Sequence, residues 1–284
     1  MPYRVFPVVI SMLFAAGCTT PEDTGTPVPF ETERRLLHEV FTGSTCGPCE
    51  PAEGYIDETM AARPGLFTSI KYQLGGDPYF THEGLARRLG YNPPGVTGYS
   101  LPWLQLDGLN AHHPNDMDGD EVYDFSDVYG VEWFDRYQSI PAGMELSVTH
   151  SIEGQTVSFT VSIYPLAEYQ DLVPQPELVL HAAIVEGVTY NNIGSNGQTE
   201  FHHVMKKMVP DEDGTPISGL VRKEEQTLSL SYTFNGDYNP DTTMAEAVDH
   251  DIEHTVEEFE DLHVVVFVQE ATTLEVFQSA WTIQ

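Results

Sequence analysis

Leu36-Leu37-His38-Glu39-Val40-Phe41-Thr42-Gly43-Ser44-Thr45-Cys46-Gly47-Pro48-Cys49 is the stretch on which the reading of this chain turns. Leu36, Leu37, Val40 and Phe41 make a short apolar strand, and Gly43 to Thr45 a polar turn. The two cysteines then open a helix in which Pro48 falls within the first turn, where its missing N–H is not needed. Strand, Cys-x-x-Cys, helix is the sequence order in which a paired thiol does redox chemistry. Backbone N–H groups and the dipole at a helix start stabilise a thiolate.

Downstream, Ala52, Tyr55, Ile56 and Met60 recur at helical spacing, and Arg63-Pro64-Gly65 stops that helix. A second strand follows at Phe67–Tyr72 and a helix at His82–Leu89. Leu101-Pro102-Trp103-Leu104-Gln105-Leu106 reads as a strand led by proline and ended by the Asp107-Gly108 turn. Val128, Val131, Trp133, Phe134 and Tyr137 predict a further helix before Pro141.

Cys46-Gly47-Pro48-Cys49 is identical to the active-site tetrapeptide of thioredoxin, and Leu101-Pro102 with its strand and Asp-Gly turn resembles that fold's cis-proline strand. The resemblance covers residues 30–140. It implies that Cys46 is the exposed nucleophile, Cys49 the resolving thiol and Pro102 a cis residue facing them, with protein thiols or disulfides as partners. The sequence departs from the pattern at Val40, where thioredoxin has a buried acid, with Glu39 beside it directed to the other face. Thr45 replaces the usual tryptophan, and Glu50 and Glu53 crowd the helix start, where they would oppose a thiolate. A static disulfide is one alternative, although a loop this short closes little chain entropy. Half of a zinc site is another, but no second Cys-x-x-Cys exists to complete it.

Residues 1–17 read as a signal peptide: Arg4, then an apolar run from Val5 to Ala16 too short to span a bilayer. The run ends in Leu13-Phe14-Ala15-Ala16-Gly17-Cys18, which resembles the bacterial lipobox. That implies lipidation of Cys18 and a protein held at the membrane by its N-terminal anchor. Thr19 after the cysteine favours the outer membrane of the cell envelope. Residues 18–29, rich in Thr, Pro and acid, form a flexible tether reaching about 30 Å at roughly 3 Å per residue.

The whole chain carries 44 acidic against 12 basic residues, a net charge of −32. That excess excludes nucleic acid as a partner, since a phosphate backbone needs a basic face. No cofactor motif is present. Asp116, Asp118 and Asp120 alternate as in a calcium loop, but Glu121 stands where an EF-hand needs glycine, so the segment reads first as a solvated acidic loop, with bound calcium as the alternative.

Residues 141–284 follow period two, with strands at Met144–His150, Val157–Tyr164, Leu178–Val185, Leu228–Phe234, Leu262–Gln269 and Leu274–Trp281. The fold class is therefore an α/β thioredoxin-like domain followed by an all-β, sandwich-like domain. The lipobox, the Phe41-Thr42-Gly43 entry to Cys-x-x-Cys, Phe201-His202-His203-Val204-Met205 and Val264 to Gln269 together resemble the outer membrane protein 28-like lipoprotein family. In a regular strand His202 and His203 point to opposite faces and cannot jointly chelate, and His250 and His254 lack a third ligand. Two functions are open: thiol–disulfide exchange through Cys46 and Cys49, or a binding lipoprotein that uses the thioredoxin-like part as a scaffold.

Overall fold

The computed structural model describes residues 31–112, 131–172, 175–192 and 194–283. In chain order the elements are β1 (Leu36–Thr42), α1 (Cys49–Ala61), β2 (Phe67–Gln73), α2 (His82–Gly90), β3 (Trp103–Leu106), β4 (Asn110–His112) and α3 (Val131–Gln138). They continue with β5 (Met144–Glu153), β6 (Thr156–Pro165), β7 (Leu178–Thr189), β8 (Phe201–Met208), β9 (Thr215–Ile217) and β10 (Gln226–Thr233). The chain ends with β11 (Asp237–Tyr238), β12 (Glu253–His254), β13 (Leu262–Glu270) and β14 (Val276–Trp281).

The protein is β-rich, and its main sheet is mixed. Its strand order is β14-β13-β7-β8-β2-β1-β3-β4, with β9 added against β7. β1 and β2 are parallel, joined through α1, whereas β3 runs antiparallel to β1 and β4 to β3. Strands from both sides of residue 140 thus share one sheet, and the seam is the parallel pairing of Lys71 with Val204. A second, three-stranded sheet, β10-β6-β5, stands apart from it.

Both faces of the main sheet are covered, which is why every residue of β1 and β2 is buried. On one face Leu36, Val40, Leu104 and Leu106 pack against Ala52, Ile56 and Met60 of α1 and Phe134 of α3. Along the same face, Leu180, Ala182, Ile184, Val264 and Val266 meet Met144, Val157, Phe159 and Val161 of the small sheet. On the other, Leu37, Phe41, Ile70 and Tyr72 join Ala183, Val185, Val265 and Phe267, with Leu85 of α2 packed on them. The sandwich-like layer expected for the second half is therefore built partly on the sheet that the first half begins. In β8, Lys206 and Lys207 interrupt the apolar run. Lys206 is nonetheless buried, donating to the Thr255 carbonyl at 2.7 Å and lying 3.1 Å from Glu186.

The acidic stretch before β13 ends in a 3-10 turn, Phe259–Asp261. Asp107 and Gly108 take left-handed backbone, and a Cβ on Gly108 would lie 1.7 Å from the Leu274 carbonyl oxygen. Only glycine allows the turn after β3 to press so closely on the segment leading into β14.

Candidate redox site at the first strand-to-helix turn

β1 ends at Thr42, and the turn that follows is closed by the Cys46 N–H donating to the Gly43 carbonyl at 3.0 Å and the Cys49 N–H to the Cys46 carbonyl at 3.1 Å. Cys46 and Cys49 are joined as a disulfide, with Cα atoms 5.3 Å apart. Cys46 is half-buried, Cys49 has no exposed surface, and α1 begins at Cys49. Of the two cysteines, only Cys46 therefore has exposed surface.

The Leu101–Pro102 bond is cis. Extending the β1–β3 register beyond Phe41 and Trp103 sets Pro102 beside Thr42 and Leu101 beside Gly43. A Cβ on Gly43 would meet Leu101 Cδ1 at 3.7 Å. The structure thus brings Pro102 to the strand end from which the cysteine turn springs. Cys18, Asp116, Asp118 and Asp120 lie outside the described residues. Among the described residues no three His, Cys, Asp or Glu side chains are grouped to hold a metal ion.

Glu53 departs from its expected role. It lies one turn after Cys49 on the same buried face of α1 and is itself buried. Its carboxylate accepts from the Thr42 hydroxyl and faces the Lys71 ammonium at 3.2 Å. Lys71 also reaches Asp57 at 2.8 Å. Burial acts to lower the Lys71 pKa, but the carboxylates of Glu53 and Asp57 outweigh it and hold the pKa above the ordinary value. Instead of opposing a thiolate as a bare charge, Glu53 is neutralised. Glu50 alone remains exposed in the first turn. Val40 faces Ala52 and Ile56, so the acid under the turn comes from the helix and not from the strand.

Two further contacts were not legible in the sequence. Asp77 is buried and accepts the Ser44 N–H at 2.9 Å and the Tyr79 N–H at 2.8 Å, and burial raises its pKa to about 6 against those bonds. From the loop between β7 and β8, the Asn196 N–H donates to the Ser44 carbonyl at 2.9 Å, and Gln198 Nε2 reaches Glu53 at 3.3 Å. A Cβ on Gly194 would fall 2.4 Å from the Ser44 oxygen, so that loop lies directly against the cysteine turn. The Glu53 position had a signal in its i, i+4 spacing from Cys49. Asp77 and the loop had none.

His202 and His203 both line one cavity, contrary to the alternation expected of a strand. His203 has φ 54°, which breaks the pleat at that residue. His250 faces Glu83 at 3.4 Å and His254 faces Gln155 at 3.1 Å, so this pair shares no ligand position.

Comparison with family models and with curated proteins finds no match. Among solved structures, the fold is similar to HBP35 of Porphyromonas gingivalis, at 12% identity and a TM-score of 0.59, over 88% of this chain and 74% of that one. It is also similar to protein AGR_C_4864 from Agrobacterium tumefaciens, at 14% identity and a TM-score of 0.50, over 92% and 98%. A domain of the outer membrane lipoprotein Omp28 from Porphyromonas gingivalis matches 49% of this chain and 86% of its own length, at 18% identity and a TM-score of 0.30.

Proposed function

We propose that this chain is an exported, lipid-anchored protein of the cell envelope that exchanges thiols and disulfides through Cys46 and Cys49. The observation that carries the reading is the half-buried Cys46 bonded to the fully buried Cys49, at a strand-to-helix turn beside a cis proline. The β2-β1-β3-β4 order with α1 between parallel strands supports a thioredoxin-like unit as the carrier of this pair. The signal-like N-terminus and the lipobox ending in Cys18 support the anchor and the outer membrane.

In the reducing direction, the Cys46 thiolate attacks one sulfur of a partner disulfide, forming a mixed disulfide and expelling a partner thiolate. Cys49 then releases its proton to water, and its thiolate attacks the Cys46 sulfur. The internal disulfide forms and the second partner thiolate leaves, so two electrons pass to the partner. A dithiol reductant restores the starting state. In the oxidising direction the same steps run backwards.

Replacing Cys49 with Ser removes the resolving thiol and should leave partners trapped on Cys46. Absence of any trapped adduct, together with failure of the reduced protein to reduce a model disulfide, overturns the reading. A second reading, a binding lipoprotein with a scaffold role for this unit, is favoured by the loop carrying Gly194 and Asn196, which packs on the turn. It requires that Cys46→Ala leave partner binding unchanged.

A further inference from the structure

At the far end of α1 from the cysteines, the chain forms a cavity of about 510 Å³ whose lining includes Met60, Ala61, Phe67, His203, Trp281 and Arg35. α1 carries Cys49 at its start and Ala61 at its end, about 18 Å apart at 1.5 Å per residue. The cavity is therefore separate from the disulfide. Its volume falls in the range of small-molecule sites, which are apolar with a few convergent polar groups.

Three such groups converge here, and none is used within the described residues. The Arg35 side chain forms no ion pair or hydrogen bond; its backbone alone bonds, to Gln278 and Ser279. The Trp281 indole N–H makes no hydrogen bond among the described residues, and the side chain is half-buried. Neither ring nitrogen of His203 is hydrogen-bonded, and Nδ1 is buried. Burial, then the nearby charges of Lys71, His202 and His263, depress the His203 pKa to about 3, so its ring is neutral. Asp57 also lines the cavity but is committed to Lys71 at 2.8 Å. The uncompensated charge at the cavity is thus a guanidinium, in a chain with 44 acidic residues and 12 basic ones.

We propose that this cavity binds a small aromatic monoanion, its rings against Phe67, Met60 and Trp281 and its acid group on Arg35. The guanidinium supplies a planar pair of donors to a carboxylate or sulfonate, and the indole N–H supplies a further one. The left-handed backbone at His203 turns that imidazole onto the same side as His202, against the bound ring edge.

The test is titration of the full chain with two dyes of similar shape, anionic 1-anilinonaphthalene-8-sulfonate and neutral N-phenyl-1-naphthylamine, followed by dye fluorescence. The expected result is saturable one-to-one binding of both dyes. Ala61→Trp, at an exposed lining position, should abolish it by filling the cavity. Arg35→Gln should weaken the sulfonate dye roughly tenfold and leave the neutral dye within about twofold. Binding without one-to-one saturation, binding that survives Ala61→Trp, or equal losses of both dyes in Arg35→Gln would each overturn the proposal.

Discussion

Lys71 Nζ lies 3.2 Å from the Glu53 carboxylate, and both side chains are sealed from solvent one helical turn beyond the buried Cys49. A buried pair of this kind has its largest effect on stability when one member is removed and the other is stranded. Lys71→Met should therefore cost about 3–5 kcal/mol in urea denaturation, because Glu53 loses its cation. Glu53→Gln should cost less, since Asp57 still faces Lys71 at 2.8 Å. The double variant should recover part of the Lys71→Met loss, and strictly additive losses would show that the two are not coupled.

The Ser44 N–H to Asp77 bond predicts a pH dependence. Burial raises the Asp77 pKa from 3.8 to about 6 in the folded state, so between those values the folded protein holds a proton that the unfolded chain has released. Stability from this group is therefore highest below about pH 4 and declines as pH rises to about 6, by up to roughly 3 kcal/mol. Asp107, also raised to about 6 by burial, acts in the same direction. Glu83, lowered to about 2 by His250 and Lys207 despite its burial, acts in the opposite one. Asp77→Asn should flatten the decline between pH 4 and 6 in denaturant titrations. An unchanged slope would remove Asp77 from the pH response.

Gly194 offers a direct probe of the loop that covers the cysteine turn. With the Ser44 oxygen 2.4 Å from a new Cβ, Gly194→Ala must push the two backbones apart. The expected cost is about 1–3 kcal/mol. Reduction of the disulfide by dithiothreitol should accelerate, because the Asn196 bond to Ser44 is loosened. Ser195→Ala, at an exposed position, serves as the control and should change neither quantity.

On the opposite face of β1, Glu39 accepts from Arg87 at 2.9 Å, from the Tyr72 hydroxyl at 2.8 Å and from the Tyr91 hydroxyl. Burial and the Glu39 carboxylate keep the Tyr72 pKa well above its ordinary value, so the phenol stays a donor. Glu39→Gln strands a buried guanidinium and should destabilise the protein by about 3–5 kcal/mol in chemical denaturation. Arg35→Gln, whose exposed side chain has no ion-pair partner among the described residues, should stay within about 0.5 kcal/mol of the parent.

The chain by itself determined its local elements. The run from Leu36 to Phe41, the helix after Cys46-Gly47-Pro48-Cys49 and the Pro102-led strand are visible because apolar period and proline act over a few residues. The alternation in Val157–Tyr164 and Leu228–Phe234 likewise shows one face more enclosed than the other. Only the tertiary structure decided what those elements lie against. The pairing of Lys71 with Val204 runs one sheet through both halves, and no local pattern encodes a partner strand 133 positions away. Lys71 and Lys206 look like solvent-facing breaks in a strand until Glu53 and Glu186 arrive to pair with them in the interior. The loop on Ser44 and the cavity behind α1 are also products of distant segments meeting. Backbone hydrogen bonding across a sheet, and the burial of charge that it permits, depend on contacts the linear sequence does not carry.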